Sequence, residues 1–397
     1  MNFELILLEL LFAFIGLSTS YYLNGYLYGA FKSNKMYDPI VSRSSHSEKA
    51  TRSGGMALFF TFCICYGLGK AIYSMSVDLY ALIAFIFIAL TGMADDFFSI
   101  KYREKFFLQV FAAIVLLQSG IYIDSFHGVF GINEIPVWAS YIVSVFVFIV
   151  IVNAFNLIDG IDGLSALLSI KFFLLTGGII TIASKEMYLV IPSVVGAIAG
   201  FLFFNFNPSK KVFLGDTGAL LSIKFFLLVA GIITISSKEM FLVIPSIVGG
   251  ITGFLFFNFN PVKKVFLGDT GALLLGSVIA FFIFYILDSD NYIITDDYVS
   301  RPFMVILLII YPLADTLRAS LIRMYKGKSP FLPDRVHLHH RLIDKGYSHW
   351  GASTLILGLS ITVVMVGVFA SSLLMSLTIC SLIVFIYLTI VYFIFFN

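Results

Sequence analysis

The chain has 397 residues, of which 59% are hydrophobic and only 12% are charged, and its mean hydropathy is +0.99. In water-soluble globular proteins about a quarter of all residues are charged, so this composition excludes an ordinary soluble fold. The net charge of +2 is too small to indicate a nucleic-acid partner. We therefore predict an integral membrane protein.

Uninterrupted apolar runs divide the chain from end to end. Their lengths are close to the roughly 20 residues that a helix needs to cross a bilayer, whereas barrel strands alternate over about ten residues. The sequence therefore predicts an all-α polytopic membrane protein with about thirteen spanning helices in a single domain, 1–397. The predicted spans are 3–31, 56–73, 79–94, 106–120, 137–155, 165–183, 188–206, 219–236, 241–259, 272–288, 302–324, 350–368 and 373–395.

Lys and Arg cluster in alternate loops between these spans. The basic loops lie at 32–52, 101–105, 210–211, 263–264 and 318–341. The positive-inside rule places them in the cytoplasm, which predicts an N-terminus outside and a C-terminus inside. On the opposite side the loops are short or acidic, and the turn residues Gly128 and Gly131 predict a small external hairpin.

The sequence contains an internal repeat. Residues 166–218 and 219–271 align without a gap and differ at only eight positions. Each copy holds two predicted spans, so we interpret it as a tandem duplication of one helical hairpin that leaves later loops on their original side. Each copy also ends in the same Gly-Asp-Thr-Gly segment, so Asp216 and Asp269 compete for one role.

A polar segment, 153–164, follows directly on an apolar run. Asn153, Asn156, Asp159 and Asp162 recur at every third position, which makes successive members neighbours on a helix. Polar groups at the mouth of a membrane helix are costly unless something binds them, so this segment predicts a functional site. The structural alternative is a polar helix end that turns into a solvated loop.

Asp95 and Asp96 end the third predicted span and precede the basic run 101–105. Adjacent carboxylates raise each other's proton affinity, so a metal ion or the basic run must offset them. Taken alone, this pair fits a solvated helix end equally well. Together with Asp159, Asp162 and a Gly-Asp-Thr-Gly loop, it forms a set of oxygen ligands suited to Mg²⁺.

The other polar region is cationic and contains His337, His339 and His340. Zinc is a poor match, since no acidic or Cys ligand lies at zinc spacing and the neighbouring guanidinium groups repel a second cation. Phosphate oxygens fit better, because Arg and protonated His donate hydrogen bonds to them. The surrounding charges are Asp315, Arg318, Arg323, Lys326, Lys328, Arg335 and Arg341.

The first basic loop adds short donors and a flexible backbone that suit a phosphate or a base: His46, Lys49, Thr51 and Arg52, followed by Ser-Gly-Gly. It lacks the spacing of a P-loop, so we do not predict nucleotide hydrolysis. Acidic metal ligands opposite a basic phosphate cradle at the edge of a helical bundle predict phosphoryl transfer. A soluble phosphate-bearing donor would enter from the aqueous side and a lipid phosphate through the helices.

Four motifs carry a family resemblance: Asp95-Asp96, the segment 153–164, Phe266-Leu-Gly-Asp269-Thr-Gly, and His337-Leu-His339-His340-Arg341. In this order they resemble the polyprenyl-phosphate N-acetylhexosamine-1-phosphate transferases, glycosyltransferase family 4. The resemblance runs from about residue 38 to 350, and its His-x-His-His-Arg-Leu ending is more similar to the GlcNAc-type branch than to the pentapeptide branch. That branch has eleven spans, which is thirteen less the duplicated pair.

The resemblance implies transfer of a sugar-1-phosphate from a UDP-sugar such as UDP-GlcNAc to undecaprenyl phosphate, with release of UMP. The cofactor it implies is Mg²⁺, with Mn²⁺ as a substitute. The reaction would begin cell-wall or lipopolysaccharide glycan synthesis at the cytoplasmic face of the bacterial inner membrane, among its lipids. The oligomeric state is left open, with a homodimer as one option.

The resemblance also implies residue roles. Asp269 and Asp159 would bind the metal, Asp95 would act as general base, and Asp95 and Asp96 would handle the lipid phosphate. Asp162 and Phe266 would hold uracil, and His337, His339 and His340 would grip phosphates. Further substrate-binding candidates are His46, Lys49, Thr51, Arg52, Lys101, Asn153, Asn156, Arg318, Arg335 and Arg341.

The duplication is the departure from the family. The chain can pack 165–183 with 241–259 and exclude the pair between them, or it can use the second copy entirely. Both arrangements employ Asp269, so we favour it over Asp216. Two other functions stay open: a multi-helix transporter, whose ionisable residues should lie near the membrane midplane, and a catalytically inactive family member.

Overall fold

The structure is a computed structural model that describes residues 3–38, 50–73, 79–183, 243–260, 263–288, 300–329 and 335–374. Its elements are almost all helical. They are α1 (Phe3–Ser33), α2 (Gly54–Tyr73), α3 (Leu79–Phe98), α4 (Tyr102–Leu117), a 3₁₀ turn (Val129–Gly131), α5 (Val137–Ile158), α6 (Leu164–Ala183), α7 (Val243–Asn258), α8 (Gly268–Leu287), α9 (Arg301–Leu308), α10 (Ile310–Tyr325), α11 (Leu338–Asp344) and α12 (His349–Leu374).

The all-helical membrane class is confirmed, whereas the count of about thirteen spans is not. In the described part of the chain, four helices are long and apolar enough to cross a membrane, and a bent pair brings the number to five. Three shorter apolar helices accompany them: Gly54–Gly69, Leu164–Thr176 and Ile244–Asn258. The predicted spans 188–206 and 219–236, and nearly all of 373–395, lie outside the described residues.

Helix α8 is the centre of the bundle. It is buried along almost its whole length and packs against α2, α3, α5, α6 and α9. A helix that is apolar on every side can lie at such a position without exposing polar groups. Its polar N-terminal turn, which begins at Gly268, is therefore held in the middle of the other helices at one end of the bundle.

The outer faces of α3, α4 and α5 are apolar as well. Large hydrophobic side chains are exposed there, among them Leu90, Phe107, Phe111, Ile142 and Phe146. An apolar surface of this extent has no favourable contact with water, and lipid is the solvent that suits it.

Each of the two repeat copies contributes one helix to the described bundle. Helix α6 comes from the first copy and α7 from the second, and the two pack against each other. Helix α7 also packs closely on α1, where Gly249 and Gly253 lie directly against the α1 backbone. Small residues permit this close approach between membrane helices. The part of the repeat between α6 and α7 lies outside the described residues.

The predicted span 302–324 is two helices rather than one. Helices α9 and α10 meet at Ile309 with a bend of 74°. Pro312 stands in the first turn of α10 and has no N–H to donate to the carbonyl of Leu308, so the helical hydrogen bonding is interrupted there.

A hairpin forms around Gly128 and Gly131 as predicted, whereas its location outside the membrane stays a prediction. An antiparallel bridge joins Ser125 to Glu134. At this end of the bundle His127 Nε2 lies 3.0 Å from the carbonyl oxygen of Leu287, at the C-terminus of α8. The hairpin and the N-terminal turn of α8 therefore lie at opposite ends of the central helix.

Candidate active site

The carboxylate of Asp96, at the end of α3, caps the N-terminus of α8. Its Oδ1 accepts from the backbone N–H of Asp269 at 3.0 Å, and its Oδ2 accepts from the N–H and the hydroxyl of Thr270 at 2.9 and 2.7 Å. Gly268 has φ +66°, and a Cβ there would lie 2.8 Å from both Asp96 oxygens. Only glycine fits, so the Gly-Asp-Thr sequence is what allows a carboxylate to satisfy this helix end.

Lys105 joins two aspartates from different helices. Its Nζ donates to Asp95 Oδ2 at 2.8 Å and to Asp269 Oδ2, and Asn156 Nδ2 donates to Asp269 Oδ1 at 3.1 Å. Lys105 is in the first turn of α4, which follows α3 after a short loop, so its side chain faces back towards Asp95. Two carboxylates thus surround one cation.

Asp159 is the C-cap residue of α5 and lies beside this cluster. Its Oδ1 accepts a hydrogen bond from the hydroxyl of Ser165. Burial raises the pKa of Asp159 to about 7, and the negative charges of Asp269 and Asp96 act in the same direction although the Ser165 hydrogen bond opposes them. The carboxylates at the ends of α3 and α5 and at the start of α8 are therefore close enough to influence one another.

A second group is built around Asp162. Its Oδ2 lies 2.7 Å from Lys264 Nζ and 3.1 Å from His349 Nδ1, and its carbonyl accepts from Ser353 Oγ at 2.8 Å. Burial acts to raise the pKa of Asp162, but the hydrogen bonds and charges of His349 and Lys264 outweigh it and lower that pKa. Lys264 Nζ also lies 5.9 Å from the ring centroid of Phe266.

In the histidine segment, His337 is fully engaged by its neighbours. Its Nδ1 lies 3.0 Å from Asp315 Oδ2 and its Nε2 lies 3.1 Å from Arg323. The other Asp315 oxygen accepts from Arg318 at 2.8 Å and from the backbone N–H of Leu338 at 3.0 Å. These buried contacts tie α10 to the start of α11.

His339 and His340 differ from His337 in this respect. Within the described residues, neither ring nitrogen of buried His339 has a hydrogen-bond partner, and neither has Nδ1 of His340. A Cβ on Gly160 would lie 2.4 Å from His339 Nε2, so this nitrogen points at the backbone next to Asp159. Burial lowers the pKa of both imidazoles, to about 4 for His340, where Arg335 adds to the effect.

The remaining predicted residues make their described contacts outside the acidic cluster. Asn153 exchanges amide hydrogen bonds with Gln109 on α4, and Lys101 is exposed at the start of that helix. Arg335 pairs with Asp344 at 2.7 Å. Arg341 is part of α11 and is partly buried.

The first basic loop lies against the second repeat copy. Thr51 forms a parallel bridge with Val265, and Arg52 pairs with Asp38 at 2.5 Å while its Nη1 lies 3.9 Å from Asp96. The predicted residues His46, Lys49 and Asp216 lie outside the described residues, so their roles stay predictions.

Three basic residues that contact these aspartates were absent from the predicted site: Lys105, Lys264 and His349. The first two have sequence signals, because Lys105 ends the basic run after Asp95-Asp96 and Lys264 belongs to the duplicated Lys-Lys pair. His349 has none, since 187 positions separate it from Asp162.

The predicted magnesium site stays a prediction. In the described part of the chain, no three His, Cys, Asp or Glu side chains are placed to hold a metal ion. The donor set is nevertheless suited to a hard cation, because Asp95 and Asp269 turn carboxylate oxygens towards one and the same ammonium group.

Fold and site together define an integral membrane protein with acidic and basic side chains assembled at one end of its helical bundle. The model of glycosyl transferase family 4 matches residues 79–223 and 221–287, which is just over half of the chain. This chain belongs to that family, the polyprenyl-phosphate N-acetylhexosamine-1-phosphate transferases. The two matched segments meet inside the second repeat copy, where the duplication interrupts the family pattern.

Curated relatives agree with this family. The chain is 29% identical over 321 residues to a probable undecaprenyl-phosphate N-acetylglucosaminyl 1-phosphate transferase of Bacillus subtilis, covering 79% of this chain and 71% of the relative. It is 26% identical over 330 residues to the undecaprenyl-phosphate alpha-N-acetylglucosaminyl 1-phosphate transferase of Escherichia coli K12, covering 83% and 74%. A decaprenyl-phosphate N-acetylglucosaminephosphotransferase of Mycolicibacterium smegmatis is 25% identical over 337 residues, covering 79% and 70%.

Proposed function

We propose that this protein transfers N-acetylhexosamine-1-phosphate from a UDP-sugar to undecaprenyl phosphate at the cytoplasmic face of a bacterial inner membrane and releases UMP. The observation that carries the proposal is the contact of Lys105 with both Asp95 and Asp269. It brings together carboxylates of α3 and α8 at the mouth of the bundle, where an aqueous donor and a lipid phosphate can meet. The names of the relatives support the same class of reaction.

In the proposed reaction, an oxygen of the lipid phosphate attacks the phosphorus that bears the sugar. The bond from that phosphorus to the bridging oxygen breaks, and UMP leaves with the bridging oxygen. Catalysis of this kind depends on positioning and on neutralising charge rather than on covalent chemistry by the protein. Asp95 would accept any proton that remains on the attacking phosphate.

Asp269 and Asp159 would hold Mg²⁺. When bound, the metal supplies positive charge that offsets the charge of the diphosphate and of the departing UMP. Lys105 would keep Asp269 and Asp95 ionised and close to each other. His339 and His340 would donate hydrogen bonds to phosphate oxygens from the side of Gly160, and Asp162 and Phe266 would hold the uracil.

The test is UMP release by membranes that contain the protein, supplied with undecaprenyl phosphate and a panel of UDP-sugars. We expect release from UDP-GlcNAc or a related UDP-N-acetylhexosamine that depends on both Mg²⁺ and the lipid phosphate. Membranes from the same host without the protein give the background. Absence of release with every donor would refute the proposal and favour an inactive family member.

A further inference from the structure

We propose that Lys264 is a specificity-determining residue that reads the uracil base together with Asp162. The inference rests on the proposed function and extends it to a residue that neither the sequence motifs nor the relatives assign. Lys264 would donate to a uracil carbonyl while Asp162 accepts from the adjacent ring N–H.

The ammonium group of Lys264 contacts one of the two side chains proposed for the base and lies over the ring of the other. Its Nζ is 2.7 Å from Asp162 Oδ2 and 5.9 Å from the centroid of the Phe266 ring. The Lys264 side chain is only 13% exposed and that of Asp162 only 9%, so the pair is not a mobile surface contact. A base stacked on Phe266 would have Lys264 and Asp162 at its edge.

Both partners are held by separate parts of the fold. The backbone N–H of Thr51 donates to the carbonyl of Lys264 at 3.2 Å, and the N–H of Phe266 donates to the carbonyl of Thr51 at 2.7 Å. On the other side, Ser353 holds the Asp162 carbonyl and His349 lies 3.1 Å from its carboxylate. The backbone of Lys264 and the carboxylate of Asp162 are therefore held in place before the ligand binds, and only the end of the lysine side chain has to move.

This pair has the polarity of a uracil edge. Uracil presents a ring N–H flanked by two carbonyls, which matches a carboxylate acceptor beside a cationic donor. Cytosine presents an unprotonated ring nitrogen beside an amino group, so its lone pair would face the carboxylate and its amino group the ammonium. Without Lys264, cytosine could shift so that its amino group donates to Asp162, so Asp162 alone does not distinguish the two bases and Lys264 makes the pair selective.

Binding of the base would displace Lys264 from only one of its two neighbours. Lys264 keeps its contact with Asp162 and gives up its position near the Phe266 ring, which the base then covers. Aromatic side chains stack on any base, so Phe266 contributes affinity and the charged pair contributes the choice of base.

The experiment measures UMP and CMP binding to the purified full-length protein in detergent, for wild type, Lys264→Met, Lys264→Arg and Lys263→Met. We expect Lys264→Met to weaken UMP binding by about tenfold and to bring the UMP-to-CMP preference close to one. Lys264→Arg keeps the charge and should retain a preference. Lys263 is exposed and adjacent, so Lys263→Met is the matched control and should behave as wild type.

The outcomes separate this inference from the transfer reaction. In turnover, Lys264→Met should raise KM for the UDP-sugar while kcat changes less than about threefold, because Lys264 does not contact the reacting phosphorus. Equal losses of UMP and CMP binding, or a loss confined to kcat, would show a merely structural role and overturn the inference. A wild type that prefers UMP but releases none from donors would refute the transfer reaction and leave the base site intact.

Discussion

The acidic cluster at α8 and the histidine segment at α11 are built in the same way, although their charges are opposite. In each region one member is saturated by the protein itself: Asp96 caps a helix, and His337 lies between Asp315 and Arg323. Other members keep bonding capacity directed into the site. Within one motif, a residue whose bonds hold the fold therefore stands beside a residue that we propose to contact a ligand.

The comparison is tested most strongly by the adjacent pair Asp95 and Asp96. We expect Asp95→Asn to lower UMP release roughly 1,000-fold with little change in thermal unfolding, because it removes a charge beside Lys105 and Asp269 while Lys105 keeps its contact with Asp269. Asp96→Ala should instead destabilise the fold by about 2 kcal/mol, since it leaves the first N–H groups of α8 without an acceptor. Activity assays and thermal unfolding in detergent measure the two effects. Equal destabilisation by both variants would remove the distinction.

The histidine segment offers the matching pair. His339→Asn should reduce transfer about 100-fold and destabilise the fold much less than Asp315→Asn, because its ring nitrogens make no described hydrogen bond and only ring contacts with His337 and His340 are lost. Asp315→Asn should destabilise the protein by about 3 kcal/mol, since Arg318 would lose its buried counter-charge and His337 the carboxylate beside its Nδ1. If His339→Asn destabilises the protein and Asp315→Asn does not, then His339 supports the fold and Asp315 does not, which contradicts the assignment.

The pH dependence of stability tests whether His340 is a neutral imidazole in the folded protein. Burial and the charge of Arg335 lower its pKa from 6.5 to about 4, so the folded protein holds the neutral imidazole. A lowered histidine pKa contributes stability above pH 6.5 that is lost as the pH falls from 6.5 towards 4. When the pH is lowered from 6.5 to 4, His340→Gln should therefore lose less stability than wild type. Thermal unfolding at each pH measures this. A parallel pH profile for the two proteins would contradict this.

The smallest effect is expected from removing residues 184–236, which joins residue 183 to residue 237 and leaves a single repeat copy. Every described contact of α6, α7 and the acidic cluster is retained. UMP release should stay within about twofold of the full-length protein. A shortened protein that inserts and folds but does not release UMP would show that the removed residues contribute to the site.

Much of this arrangement was predictable from the sequence, because apolar runs and motif order are local signals. The bounds of α5 and α6 and the meeting of Asp95, Asn156 and Asp269 follow from them. The break at Ile309 was missed because an apolar run continues through Pro312. The saturated roles of Asp96 and His337 could not be predicted, since they depend on partners from other helices, as does the contact of His349 with Asp162.

The central claim is that an acidic cluster containing the aspartate of the second repeat copy performs phosphoryl transfer. The most direct test is UMP release from UDP-GlcNAc and undecaprenyl phosphate by membranes that contain Asp269→Asn or Asp216→Asn at equal protein levels. We expect Asp269→Asn to lower the rate of UMP release roughly 1,000-fold and Asp216→Asn to keep that rate within about twofold of wild type. Loss of activity in Asp216→Asn with activity retained in Asp269→Asn would contradict the account.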